Sequence, residues 1–132
     1  MTHPTPWDFH PVHHPSYIDF FDQVLSVTRD PKEIEAKYEE QFATDEWYRH
    51  LYRTSYAYHG VHPFYMWYWG AHALSYLGQV IIVGGEERAV RRLGFRPATT
   101  LADALEMASD VVGRDATITH LHNPPILMAD VS

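Results

Sequence analysis

Apolar positions recur at helical spacing through the first half of the chain, and the texture changes after Gly78. Ser16 can cap a helix running to about residue 27, with Ile18, Phe21 and Leu25 on its buried side. Asp30-Pro31-Lys32-Glu33 is the sharpest local signal. Asp30 suits the N-cap, Pro31 the first helical position, and Glu33 a capping box. The helix it opens carries Ile34, Tyr38 and Phe42 on one stripe. A third helix starts near Asp45, with Trp47, Leu51, Thr54 and Tyr58 on one face and Tyr48, Tyr52 and Tyr56 on another. Gly60 and Pro63 end it and introduce a ring-rich helix over about 64–77.

Beyond Gly78 the pattern is that of alternating strand and helix. Residues 79–83, ending Val80-Ile81-Ile82-Val83, read as a strand buried on both faces, as inside a parallel sheet. Gly84-Gly85 turns into a short helix over 86–93 that Gly94 stops. Thr100 and Asp103 predict a capping box for a helix with Leu101, Leu105, Ala108 and Val112 at helical spacing, closed by Gly113. Residues 117–121 read as a second strand, parallel to the first through a right-handed crossover. The predicted fold class is α/β: a helical N-terminal half followed by a βααβ unit of a small, mostly parallel sheet. Two strands do not make a stable sheet alone. Residues 128–131, the opening segment or another chain are the expected sources of a third.

Residues 1–15 form a lead-in rich in proline and histidine (Pro4, Pro6, Pro11, Pro15; His10, His13, His14), and residues 16–132 make one domain. That division suits a chain of 132 residues, enough for a single core. The absence of cysteine excludes disulfides and thiolate chemistry and fits a reducing setting. A formal charge of −7 argues against nucleic acid and anionic membranes as partners. The N-terminus lacks the basic start and apolar run of a signal peptide, and the expectation is a cytoplasmic protein.

The candidate chemistry concentrates in residues 62–72, which hold five aromatic rings and two imidazoles. Buried indole N–H and phenol O–H groups need partners, so this helix reads as the floor of a binding site or as a buried interface. Tyr65, Trp69, His72 and Tyr76 share one face. Phe64, Trp67, Ala71 and Leu74 share the other, and either stripe can be core. The first face offers a ring floor, hydroxyl donors and a titratable imidazole to a small polar ligand, although helix-spaced rings are more often core. His120 and His122 would share a strand face and could bind one metal ion with His13 or His14. There is no HExxH to support this, and a hydrogen-bonded histidine pair is the simpler reading. Gly84-Gly85 lacks a phosphate-loop pattern, and Glu86-Glu87 place negative charge where a phosphate would sit, so nucleotide binding is rejected. Arg88, Arg91, Arg92 and Arg96 read as a solvated basic face. No self-contained catalytic set is visible.

The order of several elements resembles the C-terminal domain of the nickel-dependent lactate racemase (LarA-like) family. These are His14-Pro15-Ser16-Tyr17 opening a helix, Asp30-Pro31-Lys32-Glu33, and a Trp-bearing helix feeding the strand Val80 to Val83. They are followed by the helix over 99–107, then Thr117-Ile118-Thr119 and the closing Asn123-Pro124-Pro125. The resemblance implies a two-domain isomerase with its active site between the domains. It also implies a nickel pincer nucleotide that accepts a hydride from a 2-hydroxy acid while a histidine removes the hydroxyl proton. In that family the cofactor lysine, nickel histidine and acid–base histidines belong to an N-terminal domain with no counterpart here. The implied role is therefore a substrate-side domain, catalytically incomplete alone, whose partner is a LarA-like N-terminal domain or subunit. The implied substrate-binding residues are Trp67, with Trp69 as fallback, and their neighbours Tyr65 and His72. The competing expectation is a stand-alone histidine-rich binding or oligomerisation module, with a metal ion as one candidate ligand.

Overall fold

The structure, a computed structural model, describes residues 14–121. Its first part is helical. Helix α1 (Pro15–Asp19) runs directly into a π-helical turn, Phe20–Val24, in which Leu25 N–H donates to Phe20 O at 3.0 Å. The wider turn places Phe20, Phe21, Val24 and Leu25 all in the core, a broader stripe than the spacing of Ile18, Phe21 and Leu25 predicts. Helix α2 (Pro31–Ile34) begins as expected, with the Asp30 carboxylate accepting from Lys32 N–H at 3.0 Å. Glu33 does not close a box; its carboxylate pairs with Lys37 one turn on. A second π-helical turn, Glu35–Glu39, continues into α3 (Glu40–Thr44), so Ile34 and Phe42 reach the core with Tyr38 beside them.

Asp45 alone separates α3 from α4 (Glu46–Thr54), and its carboxylate caps α4 by accepting from Trp47 and Tyr48 N–H at 2.9 and 3.0 Å. Helix α4 stops six residues before Gly60, earlier than its pattern suggests. The Thr54 hydroxyl turns back onto His50 O, and Tyr56 adopts a left-handed conformation with φ of 55°. The chain is thereby redirected so that Ala57 and Val61 enter the core. Gly60 is required there for space: a Cβ would lie 2.3 Å from Phe42 O and 2.9 Å from the Tyr48 ring.

Helix α5 (His62–Leu74) packs its Phe64 at the centre of the core. Its ring sits 4.7 Å from Phe20 and 4.8 Å from Phe42, the latter edge-on. Among the described residues, no helix is long and apolar enough to cross a membrane.

Strand β1 (Ile81–Val83) is followed by α6 (Glu87–Arg92), β2 (Arg96–Ala98) and α7 (Leu101–Val112). The two strands pair in parallel, with Ile81, Ile82 and Val83 opposite Arg96, Pro97 and Ala98. This corrects the expected topology. The strand predicted at 117–121 does not form: those residues are exposed and lack regular structure, and β2 occupies the place beside β1. The β-branched run Thr117-Ile118-Thr119 has strand propensity but pairs with no strand among the described residues, whereas Pro97 disguises a real strand. Proline is tolerated at 97 because the ladder uses its neighbours. Arg96 N–H donates to Val80 O at 2.9 Å, and Gly84 N–H donates to Ala98 O at 3.1 Å. The missing N–H of Pro97 therefore belongs to the outer edge.

The capping box of α7 forms as predicted. Thr100 Oγ1 accepts from Asp103 N–H at 3.1 Å, and Asp103 accepts from Thr100 N–H at 3.0 Å. Its apolar stripe does not become core: only Ala104 is buried, while Leu101 and Val112 are 67% and 64% exposed.

The arginines of α6 are not a free basic face. Arg92 donates to Phe21 O at 2.9 Å and lies 5.1 Å over the Phe21 ring, while Arg88 and Arg92 both pair with Asp22. They fasten α6 to the helical half. Arg91 pairs with Glu87, and Arg96 reaches the Gln79 side chain. The expected third strand at 128–131, and the lead-in up to residue 13, lie outside the described residues.

Candidate functional site

Helix α5 divides its rings between two environments, which settles the choice of stripe. Phe64 and Trp67 are core, with Ala71 and Leu74 packed against it. Tyr65, Trp69, His72 and Tyr76 are exposed, Trp69 to 71% and Tyr76 to 77%. The four residues singled out by sequence are therefore not brought together. Trp67 lies on one side of the helix, and Tyr65, Trp69 and His72 on the other.

Trp67 is only 8% exposed, yet it borders an open cleft of about 360 Å³. Pro31, Ala71, Leu74, Leu77 and Phe95 supply most of the apolar lining. Polar groups are few: Arg29, Ser75 and Gln79. Its volume falls within the range of small-molecule sites, and its exposed lining mixes apolar with polar surface. The indole is fixed, because its Nε1–H donates to Arg29 O at 3.0 Å. The Arg29 side chain reaches across to the C-terminal end of α6, where Nη1 donates to Arg91 O at 3.4 Å and Arg92 O at 3.3 Å. Gly94, with φ of 82°, permits this approach: a Cβ there would stand 3.2 Å from Arg29 Nε.

On the exposed face, Glu39 receives two phenols. Tyr68 O–H donates to one carboxylate oxygen at 2.8 Å and Tyr65 O–H to the other at 3.4 Å. Burial, then the bond to Glu39, raises the Tyr68 pKa, so the hydroxyl stays protonated as a donor. His72 and Tyr76 meet edge-on with centroids 5.3 Å apart.

A second cluster was not legible as such in the sequence. The Tyr58 ring lies between two imidazoles, stacked on His62 at 4.2 Å and on His14 at 4.8 Å. The Tyr17 hydroxyl bonds to His62 Nδ1, and Tyr58 N–H donates to His14 Nδ1 at 3.3 Å. Burial and then the neighbouring Tyr58 push the Tyr17 pKa up to about 12. Only weak signals foretold this, the i, i+3 pair His14 and Tyr17 and the i, i+4 pair Tyr58 and His62. Their meeting depends on the left-handed turn at Tyr56, which no pattern announces.

His120 is exposed on an irregular segment, and its proposed metal partner His122 lies outside the described residues, as does His13. Among the described residues no group of three or more histidine or carboxylate side chains could hold a metal ion. The family models, the curated proteins and the solved structures contain no match to this chain.

Proposed function

We propose that this chain is the substrate-side wall of a two-part racemase or epimerase acting on a small 2-hydroxy acid, in the manner of the LarA-like enzymes it resembles. By itself it is inactive. The observation that carries this reading is the open cleft against Trp67, whose indole is locked in place by Arg29. Among the described residues the cleft lining holds no histidine, aspartate or glutamate that could move a proton near neutral pH. Its own contribution is to exclude water and orient the ligand. The reactive groups must come from a partner.

A nickel pincer nucleotide does not fit the described residues. They form no metal cluster, and the chain's two lysines, Lys32 and Lys37, are absent from the cleft lining. If the cofactor takes part, the partner holds it, and no chemical step is assigned to this chain through it.

The test is complementation. The full chain is mixed with a cofactor-loaded N-terminal polypeptide of the LarA-like type, and interconversion of 2-hydroxy acid enantiomers is followed. Activity is expected only in the mixture, and Trp67→Ala is expected to abolish it. Racemisation by this chain alone with free cofactor would refute the proposal, as would an inert mixture.

A second reading rests on the opposite face of α5. Tyr65, Met66 and Trp69 of α5, with Tyr76 just beyond its end, are exposed among the described residues, which suits a homo-oligomer interface. Sedimentation separates the two. A concentration-dependent dimer that Trp69→Glu dissolves supports the interface, and a monomer at all concentrations removes it.

A further inference from the structure

We propose that the cleft beside Trp67 binds a small organic carboxylate, with the Arg29 guanidinium as its anion contact. This deepens the reading of the cleft as a substrate wall and rests on it; what is added is the group that recognises the ligand's charge. Three observations lead there.

Among the described residues, Arg29 is the only ionisable one in the cleft lining, in a chain whose net charge is −7. A cation bordering a cleft creates a local preference for anions against that background.

Arg29 is also held in place at both ends. Its carbonyl accepts from Trp67, and Nη1 lies against the carbonyls ending α6. Among the described residues it makes no hydrogen bond through Nε or Nη2 and no ion pair. A guanidinium has donors in a planar fork that matches a carboxylate. One edge is thus occupied by structure and donors remain for a ligand.

Third, the other polar groups are already engaged. Ser75 Oγ donates to His72 O at 2.6 Å, and Gln79 meets Arg96. The larger side chains of the remaining wall are Trp67, Leu74, Leu77 and Phe95, all apolar. The ligand that fits is a monoanion with a short hydrocarbon body rather than a phosphate, whose further charge and hydration would find no second cation here.

The experiment titrates isovalerate into the isotope-labelled full chain while following the Trp67 indole and Arg29 Nε–H resonances by NMR. Saturable shifts at both are expected. Isoamyl alcohol, with the same body and no charge, and inorganic phosphate are expected to leave them in place. Arg29→Gln should weaken isovalerate binding about tenfold, and Arg29→Lys less, since it keeps the charge without the fork. Because Arg29→Gln also frees the end of α6, Ser75→Asp provides a second variant. It sits at an exposed rim position and should weaken binding several-fold by repulsion. The proposal is overturned by an absence of saturable shifts, by equal binding of the alcohol, or by unchanged affinity in both variants. Failure here with complementation intact removes only the anchor. Failed complementation with carboxylate binding intact removes only the two-part enzyme.

Discussion

The helical part through α5 and the strand-bearing part after Gly78 use similar proportions of apolar residue to different ends. In the first, Phe20, Phe21, Val24, Ile34, Phe42 and Phe64 converge on one another and are nearly all sealed. In the second, only Ala89, Val90, Ala98 and Ala104 are buried, while Leu101, Leu105, Val111, Val112, Ile118 and Leu121 remain exposed. Apart from Val90 the buried residues are alanines, the larger residues Ile81, Ile82, Leu93 and Phe95 are half-buried, and the leucines and valines of α7 lie outside. A parallel pair of strands is ordinarily covered on both faces, and here the cover is incomplete among the described residues. Among the described residues the helical part is thus sealed on itself, and the strand-bearing part leaves much of its apolar surface exposed. The cleft beside Trp67 lies where they meet, lined by α5 on one side and by Gln79, Val80, Gly94 and Phe95 on the other.

This contrast can be broken most directly at Phe64. Phe64→Ala should cost about 3–5 kcal/mol in chemical denaturation, since the ring is fully buried against two others. If the loss is below about 1 kcal/mol, the helical core is not the source of stability. Gly60→Ala should cost about 1–3 kcal/mol, because the added methyl meets the Phe42 carbonyl and the Tyr48 ring. Its thermal midpoint should drop clearly below that of the parent chain.

Alkali provides a titration of the same half. Tyr17, Tyr48 and Tyr68 have pKa values raised above the ordinary value of 10, first by burial, with Tyr17 pushed up to about 12. Tyr48 is raised further by its bond to Asp19, at 2.6 Å, and Tyr68 by its bond to Glu39. In the unfolded chain these phenols lose protons first, so between about pH 10 and pH 12 the unfolded state is favoured increasingly. The stabilisation is complete below pH 10 and lost as pH rises through the folded values. The ring resonances of Tyr17, Tyr48 and Tyr68, followed by NMR, should titrate together with the loss of helical circular dichroism. Ionisation of these three rings near pH 10 with the helix intact would contradict the assignment.

At the small end, Leu105→Ser in the strand-bearing part should change stability by no more than about 0.5 kcal/mol, the value for an exposed site. A loss above about 2 kcal/mol would mean that the stripe on α7 is already covered. Amide exchange sharpens the same point: protection should be high in α5 and low in α7.

Most helices were legible from their ends. Asp30, Asp45 and the Thr100–Asp103 box cap where their residue types say, because capping is a local bargain between a side chain and the next few N–H groups. The early end of α4 and the π-helical turns were not, since they answer to distant packing demands such as the fit of Gly60 under Phe42. Propensity misled at Thr117-Ile118-Thr119 and at Pro97, where strand identity depends on which edge needs a donor. At the candidate site, the two-faced character of α5 could be read, and the face that became core could not. Arg29 was overlooked because a lone arginine before a capping signal carries no pattern. Its role comes from Trp67 and α6 closing around it.

Pro97 has one more consequence. With no donor on the outer flank of β2, an incoming strand cannot complete a regular ladder there, and chance pairing between molecules is discouraged on that side. Extension of this sheet is therefore disfavoured along β2 relative to β1. The fold thus carries its own bias in the direction of assembly, set by a single ring nitrogen.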